Sequence, residues 1–139
     1  MLHDYTQTVR SFYDALVRRD AQRFTELLDP QIEWTSAENF LYADQSPYVG
    51  IDAVLQLIFE RLAADWDDFS VSAGEVLGGG DLVIANGRFR GRFKANGASI
   101  DAQFVHVFQF KDGKIAKCQT YTDTAQFKES ISRIRLASV

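Results

Sequence analysis

Residues 98–122 read ASIDAQFVHVFQFKDGKIAKCQTYT, and the organisation of the chain turns on them. Side chains alternate across a β-strand, so Ile100, Ala102, Phe104, His106, Phe108 and Phe110 share one face, opposite Asp101, Gln103, Val105, Val107 and Gln109. Asp112-Gly113 then supplies the residues that a tight hairpin needs, and the pattern predicts a return strand over 114–122. Two further strands, at 68–77 and 82–94, precede this pair, separated by GGGD at 78–81 and by NG at 96–97. Four strands joined by tight reversals make an antiparallel meander.

The first half of the chain has a helical period instead. Tyr5, Val9, Phe12, Tyr13, Leu16 and Val17 recur at helical spacing behind an Asp4/Gln7 capping pair. Asp20 opens a second helix carrying Phe24, Leu27 and Leu28, and Asp29-Pro30 stops it, because the residue before proline is driven out of the helical region. QIEW at 31–34 reads as a short strand with Trp34 inward and Glu33 outward. Residues 35–49 form a loop whose Phe40, Tyr42 and Tyr48 are suited to cover a pocket. Gly50 leads into a third helix over 51–64 with Val54, Leu55, Ile58 and Leu62 as its apolar stripe, and Phe127, Ile131 and Ile134 predict a closing helix. Helices first and a meander afterwards imply an α+β fold, one domain over 1–139, with the sheet curling around the helices.

Bulk composition narrows the function classes. With 46% apolar and 24% charged residues, the 139-residue chain is long enough for a core without disulfide or metal support. A net charge of -4 argues against nucleic acid as a partner, Arg88, Arg90 and Arg92 being the nearest approach to a basic patch. The single cysteine, Cys118, can form neither an intrachain disulfide nor a thiolate zinc site, which fits a reducing, cytoplasmic setting. No apolar leader opens the sequence and no stretch approaches membrane-spanning length, so no membrane association is expected. Metal-ligand spacing, a phosphate-cradling glycine loop and a Ser/His/Asp order are all missing, so neither a metal nor a cofactor is expected.

His106 is the residue in need of a reason, since a titratable group on an apolar strand face must replace the water it loses. Two readings stand: a core histidine satisfied by a neighbouring hydroxyl or carbonyl, or a pocket acid, base or hydrogen-bond donor. A two-residue turn at 112–113 pairs Lys111 with Lys114 and brings Gln119, Tyr121 and Asp123 to the His106 face, whereas a bulge would bring Cys118 and Thr120 there instead. Asp123, three residues before Gln126, is equally a helix cap and a candidate acid/base. Trp34, Phe104, Phe108, Tyr13 and Tyr48 are candidate walls, the two tyrosines carrying hydroxyls that a cavity accommodates.

Three segments together, VRSFYDALVRRDAQRFTELLDPQIEW, PYVGIDAVLQLIFERL and HVFQFKDGKIAKCQTYTDT, resemble the SnoaL-like, ketosteroid-isomerase-like branch of the nuclear transport factor 2-like superfamily. The resemblance implies a cone-shaped α+β domain, a curved antiparallel sheet wrapped around N-terminal helices with a deep apolar pocket, and a homodimer formed through the outer sheet face. Aligned by the GKI turn, His106 stands where steroid isomerases hold a protonated Asp, the base position falls at Trp34 or Thr35, and Phe12 rather than Tyr13 matches the oxyanion Tyr. The resemblance to polyketide cyclases carries an acid/base role to Asp123. The expected activity is therefore that of a cofactor-free isomerase, cyclase or hydratase moving a proton on a small carbonyl-bearing molecule. The alternative is a carrier or sensor that holds a small apolar ligand in the same cavity.

Overall fold

The computed structural model describes residues 4–133, so His3 and Ile134 lie outside the described residues. Helix α1 (Thr6–Arg18) buries Val9, Phe12, Tyr13 and Ala15 and ends at Arg19, which takes a left-handed conformation at φ 55°. Its start departs from the expected pair: Asp4 accepts from the backbone N–H of Thr6 at 3.0 Å and does not reach Gln7. A short aspartate side chain meets the nearest free amide first, and here that amide lies two residues on. Helix α2 (Ala21–Leu27) is capped as its sequence demands, with Asp20 accepting from the N–H of Arg23 at 3.0 Å.

The chain turns extended at Leu28 and enters β1 (Leu28–Thr35); β2 (Tyr48–Val49) follows the loop and pairs antiparallel with β1. The helix expected at 51–64 is interrupted in the middle: α3 (Ile51–Val54), a π-helical turn (Leu55–Phe59) and α4 (Glu60–Asp65) run on without a break. Four long strands come next, β3 (Trp66–Gly79), β4 (Leu82–Phe93), β5 (Ser99–Lys111) and β6 (Lys114–Thr122), and α5 (Thr124–Ser132) closes the chain.

Six strands form one sheet in the order β2-β1-β6-β5-β4-β3. The β3–β6 meander is antiparallel throughout, and the β5–β6 turn has Asp112 at φ 52° and Gly113 at φ 80°, the two positive angles of the tight hairpin. β1 adds to β6 in parallel, a pairing that hairpin signals do not announce. One sheet face packs on the helices and holds the aromatic core, including Phe12, Phe104, Phe108 and Phe127, each almost fully buried. The opposite face carries Arg88, Arg90 and Arg92, with Asp101 paired to the first two and Asp67 to the third.

Candidate functional site

His106 points into the core from the middle of β5 and is 3% exposed. The residue that replaces its lost water is Tyr13 on α1, whose hydroxyl lies 2.7 Å from Nδ1. Aromatic rings close the rest: Phe104 at 4.5 Å between centroids, Phe108 at 5.6 Å, Trp34 at 5.8 Å, and Phe89 and Tyr13 itself at 5.9 Å. Burial in this surround depresses the imidazole to about 3 from its ordinary 6.5, so the ring is neutral at physiological pH. Burial also pushes the Tyr13 phenol well above its ordinary value, with Cys118 adding to the effect, so the phenol keeps its proton.

Hydrogen-bond accounting then sets the tautomer. Tyr13 has no other acceptor among the described residues, so its O–H donates to Nδ1, and the neutral ring carries its own proton on Nε2. Nε2 has no partner among the described residues, yet it is not sealed off as the indole nitrogen of Trp66 is. His106 lines a chamber of about 40 Å³ walled mainly by apolar groups, among them Trp34, Phe40, Ile58 and Phe89, and Nε2 is the ring nitrogen that Tyr13 leaves free to serve it. Ser36 and Thr120 are the hydroxyl-bearing residues of its wall, and no Asp or Glu of the described residues lines it. The site is thus a neutral N–H donor, held in orientation by a buried phenol, bordering a small dry space.

The loop over 35–49 does cover this chamber, through Ser36 and Phe40. It is fastened by Tyr42, which donates to Asp65 Oδ2 at 2.6 Å, and by Arg61, which donates to Asp44 Oδ1 at 2.8 Å and stacks over the Tyr42 ring. Tyr48 serves the same fastening: it donates to the Tyr42 carbonyl and to Asp44, and it is not a wall of the chamber.

Three expected site residues are displaced by a single irregularity. Lys111 pairs with Lys114 and Phe110 with Ile115, but Gln109 pairs with Lys117, which leaves Ala116 as a bulge. The extra residue inverts the alternation of β6, so Cys118 and Thr120 turn inward while Gln119 and Tyr121 turn outward. Tyr121 is 56% exposed, and with Asp123, Arg88 and Gln103 it borders a depression on the outer face. Asp123 acts as the N-cap of α5, accepting from the Gln126 N–H at 3.3 Å. It does not approach the chamber, so the place expected for it on the His106 face is not taken. Of the other candidates, Trp34 lines the chamber, Tyr13 holds the imidazole, and Phe104 and Phe108 pack against its ring. Phe12, the position aligned with the oxyanion Tyr, is fully buried against Trp34 and Phe108.

Ser36, Phe59, Phe69 and Val71 also belong to the chamber, and sequence reasoning did not single them out. Phe69, Val71 and Phe89 carried a signal, the inward alternation of β3 and β4. Among the described residues no group of three or more His, Cys, Asp or Glu is placed to hold a metal ion. No helix among them is long and apolar enough to cross a membrane.

Comparison with known proteins agrees with this architecture. Residues 9–118 match the SnoaL-like domain, while no curated protein matches the chain. A solved NTF2-like protein from Burkholderia thailandensis is 28% identical, with a TM-score of 0.89 over 95% of this chain and 100% of that one. An NTF2-like protein of unknown function from Burkholderia pseudomallei is 25% identical, with a TM-score of 0.84 over 94% and 100%. TerC, co-crystallised with polyporic acid, shares the fold at 20% identity and a TM-score of 0.80, over 91% of this chain and 97% of its own. A match over most of its length, joined to one mostly antiparallel sheet packed on N-terminal helices, places the chain in the SnoaL-like family, with the nuclear transport factor 2-like, ketosteroid-isomerase-like fold.

Proposed function

We propose that the chain binds a small, largely apolar molecule through a carbonyl oxygen, which accepts a hydrogen bond from Nε2–H of His106. The observation that carries this reading is the Tyr13–His106 contact of 2.7 Å, which commits Nδ1 and leaves the opposite nitrogen free to serve the chamber. A neutral donor in apolar surroundings favours a neutral acceptor such as a ketone or aldehyde over a carboxylate, whose charge would lose its hydration without a counter-charge. The co-crystallisation of the related TerC with polyporic acid supports a cavity of this kind holding a small organic molecule. In this reading the protein is a carrier or sensor.

A second reading is favoured by the fixed orientation of the donor. A preorganised N–H aimed at a carbonyl oxygen in a water-poor site stabilises an enolate as it forms, which is what a cofactor-free isomerase or cyclase requires. No Asp or Glu of the described residues lines the chamber, so the base that takes the proton in this reading is one that the substrate itself carries.

Nitrogen-15 NMR of the imidazole tests the shared premise. The expected spectrum is that of a neutral ring protonated at Nε2, with the Nε2–H resonance shifting when 2-butanone is added. His106→Ala should weaken binding of that ketone about tenfold, the worth of one buried hydrogen bond, whereas Asp123→Asn should leave it unchanged. A ring protonated at Nδ1, or a ketone affinity that His106→Ala leaves at its wild-type value, would refute the assignment.

We also propose that a second copy of the chain covers the outer sheet face. Leu77, Ile84 and Val107 lie in register across β3, β4 and β5, and Leu77 and Ile84 are 64% and 41% exposed. Tyr121, beside Val105, extends this apolar strip toward β6. Sedimentation should give twice the 15.7 kDa chain mass, and Ile84→Glu should return the protein to monomers. A wild-type protein that sediments as a monomer at every concentration excludes this interface.

A further inference from the structure

The His106 chamber adjoins a much larger space. Leu16, Phe59, Leu62, Phe69 and Val71 are walls both of the chamber and of a cleft of about 550 Å³ between the end of α1, α2, α4 and β3. Phe59, from the π-helical turn, stands between the two: its ring meets Trp34 of the chamber edge-on at 5.7 Å and Phe24 of the cleft at 5.2 Å. π-Helical turns inside helices recur at functional sites. The deep part of the cleft is apolar, with Phe24, Leu55 and Trp66, while Arg19, Asp20, Asp68 and Ser70 bring polar groups to it.

The volumes decide what such a pair of spaces can hold. A chamber of about 40 Å³ has room for roughly three water-sized groups, which is enough for a carbonyl and one or two carbons and no more. A molecule of ordinary ligand size can reach His106 only with its tip. We infer that the cleft is a second ligand subsite, continuous with the chamber past Phe59, and that the ligand is elongated. Its short, unbranched carbonyl end enters the chamber, and its apolar body lies in the cleft. This inference rests on the reading of His106 as a donor to a carbonyl oxygen and adds to it the shape and class of the ligand, a linear ketone or aldehyde with a long hydrocarbon body. Ketones with a bulky ring on both sides of the carbonyl are excluded by the small volume of the chamber.

Calorimetric titration with 2-butanone, 2-octanone and 2-undecanone tests this on the intact protein. Each methylene added beyond the chamber should tighten binding about fourfold, the value for moving one CH₂ out of water, until the cleft is filled. Ala63→Phe, at an exposed cleft position on the same helix face as Phe59, should collapse the ratio of undecanone to butanone affinity by tenfold or more. His106→Ala should weaken all three ketones by a common factor and preserve the length dependence. A wild-type series with no length dependence overturns the second subsite while leaving His106 as the donor. A length dependence untouched by Ala63→Phe likewise overturns it. A length dependence that Ala63→Phe abolishes, together with ketone affinities that His106→Ala leaves at their wild-type values, supports the cleft and overturns the donor role, and no binding by any member of the series overturns both.

Discussion

On acidification from pH 6.5 to 3 the protein is expected to lose about 5 kcal/mol of stability to one imidazole. His106 is neutral in the fold down to about 3, because burial disfavours the charged form, whereas in the unfolded chain it gains a proton near its ordinary 6.5. Above 6.5 the ring is neutral in both states and its contribution is fully present. Below that value the unfolded state binds the extra proton, and stability falls by about 1.4 kcal/mol per pH unit until the folded ring titrates as well. Urea unfolding curves at unit steps from pH 7 to pH 3 measure this loss. The double variant Tyr13→Phe/His106→Leu removes the imidazole together with the phenol that depends on it. Its stability should decline distinctly less over the same range, the remainder coming from carboxylates such as Asp44 and Asp101 that arginines hold below their ordinary range. Parallel curves for the two proteins would show that His106 is not sequestered from water as described.

The second large effect is expected at a glycine. Gly87 lies on the inner face of β4 opposite Phe104, and a Cβ placed there would come within 2.0 Å of the Ser72 carbonyl oxygen and 2.6 Å of the Phe104 ring. Neither neighbour has room to withdraw: the first is backbone, and the second is 2% exposed, stacked on Phe89 at 4.4 Å and packed against His106. Gly87→Ala should therefore cost about 3 kcal/mol by overpacking and lower the melting temperature by about 10 °C. It should also disturb the His106 resonances, because the Phe104 ring is what Gly87 admits beside the imidazole. Gly79→Ala, where the added carbon meets nothing within 4 Å, serves as the control and should change little. Equal melting temperatures for the two variants would contradict the close approach of β3, β4 and the Phe104 ring.

The same dipeptide shows how far sequence reasoning reaches. Asn-Gly occurs at 86–87 and again at 96–97, and only the second makes a turn, with Gly97 at φ 74°. The alternating pattern of 82–94 carried the strand through the first occurrence, so the element was legible. The reason for that glycine was not, since it lies in the ring of a residue on the neighbouring strand. Asp20 and Asp123 were legible as caps because a cap is satisfied within three residues. The placing of Asp123 on the His106 face was different: it required counting along two strands, and one bulge at Ala116 reversed the count.

Alternation, turn residues and caps were set by the sequence itself, because steric limits on φ and ψ and bonds to nearby amides act between residues a few positions apart. The meander, the inward face of β5 and the position of His106 in the core all follow from them. Tertiary structure alone decided which groups meet that histidine. Tyr13 lies 93 residues away, β1 joins β6 in parallel, and the chamber is closed by a loop whose anchors, Asp65 and Arg61, sit on another helix. Such contacts form only when distant segments pack together, and their register depends on the shapes of all the side chains between them.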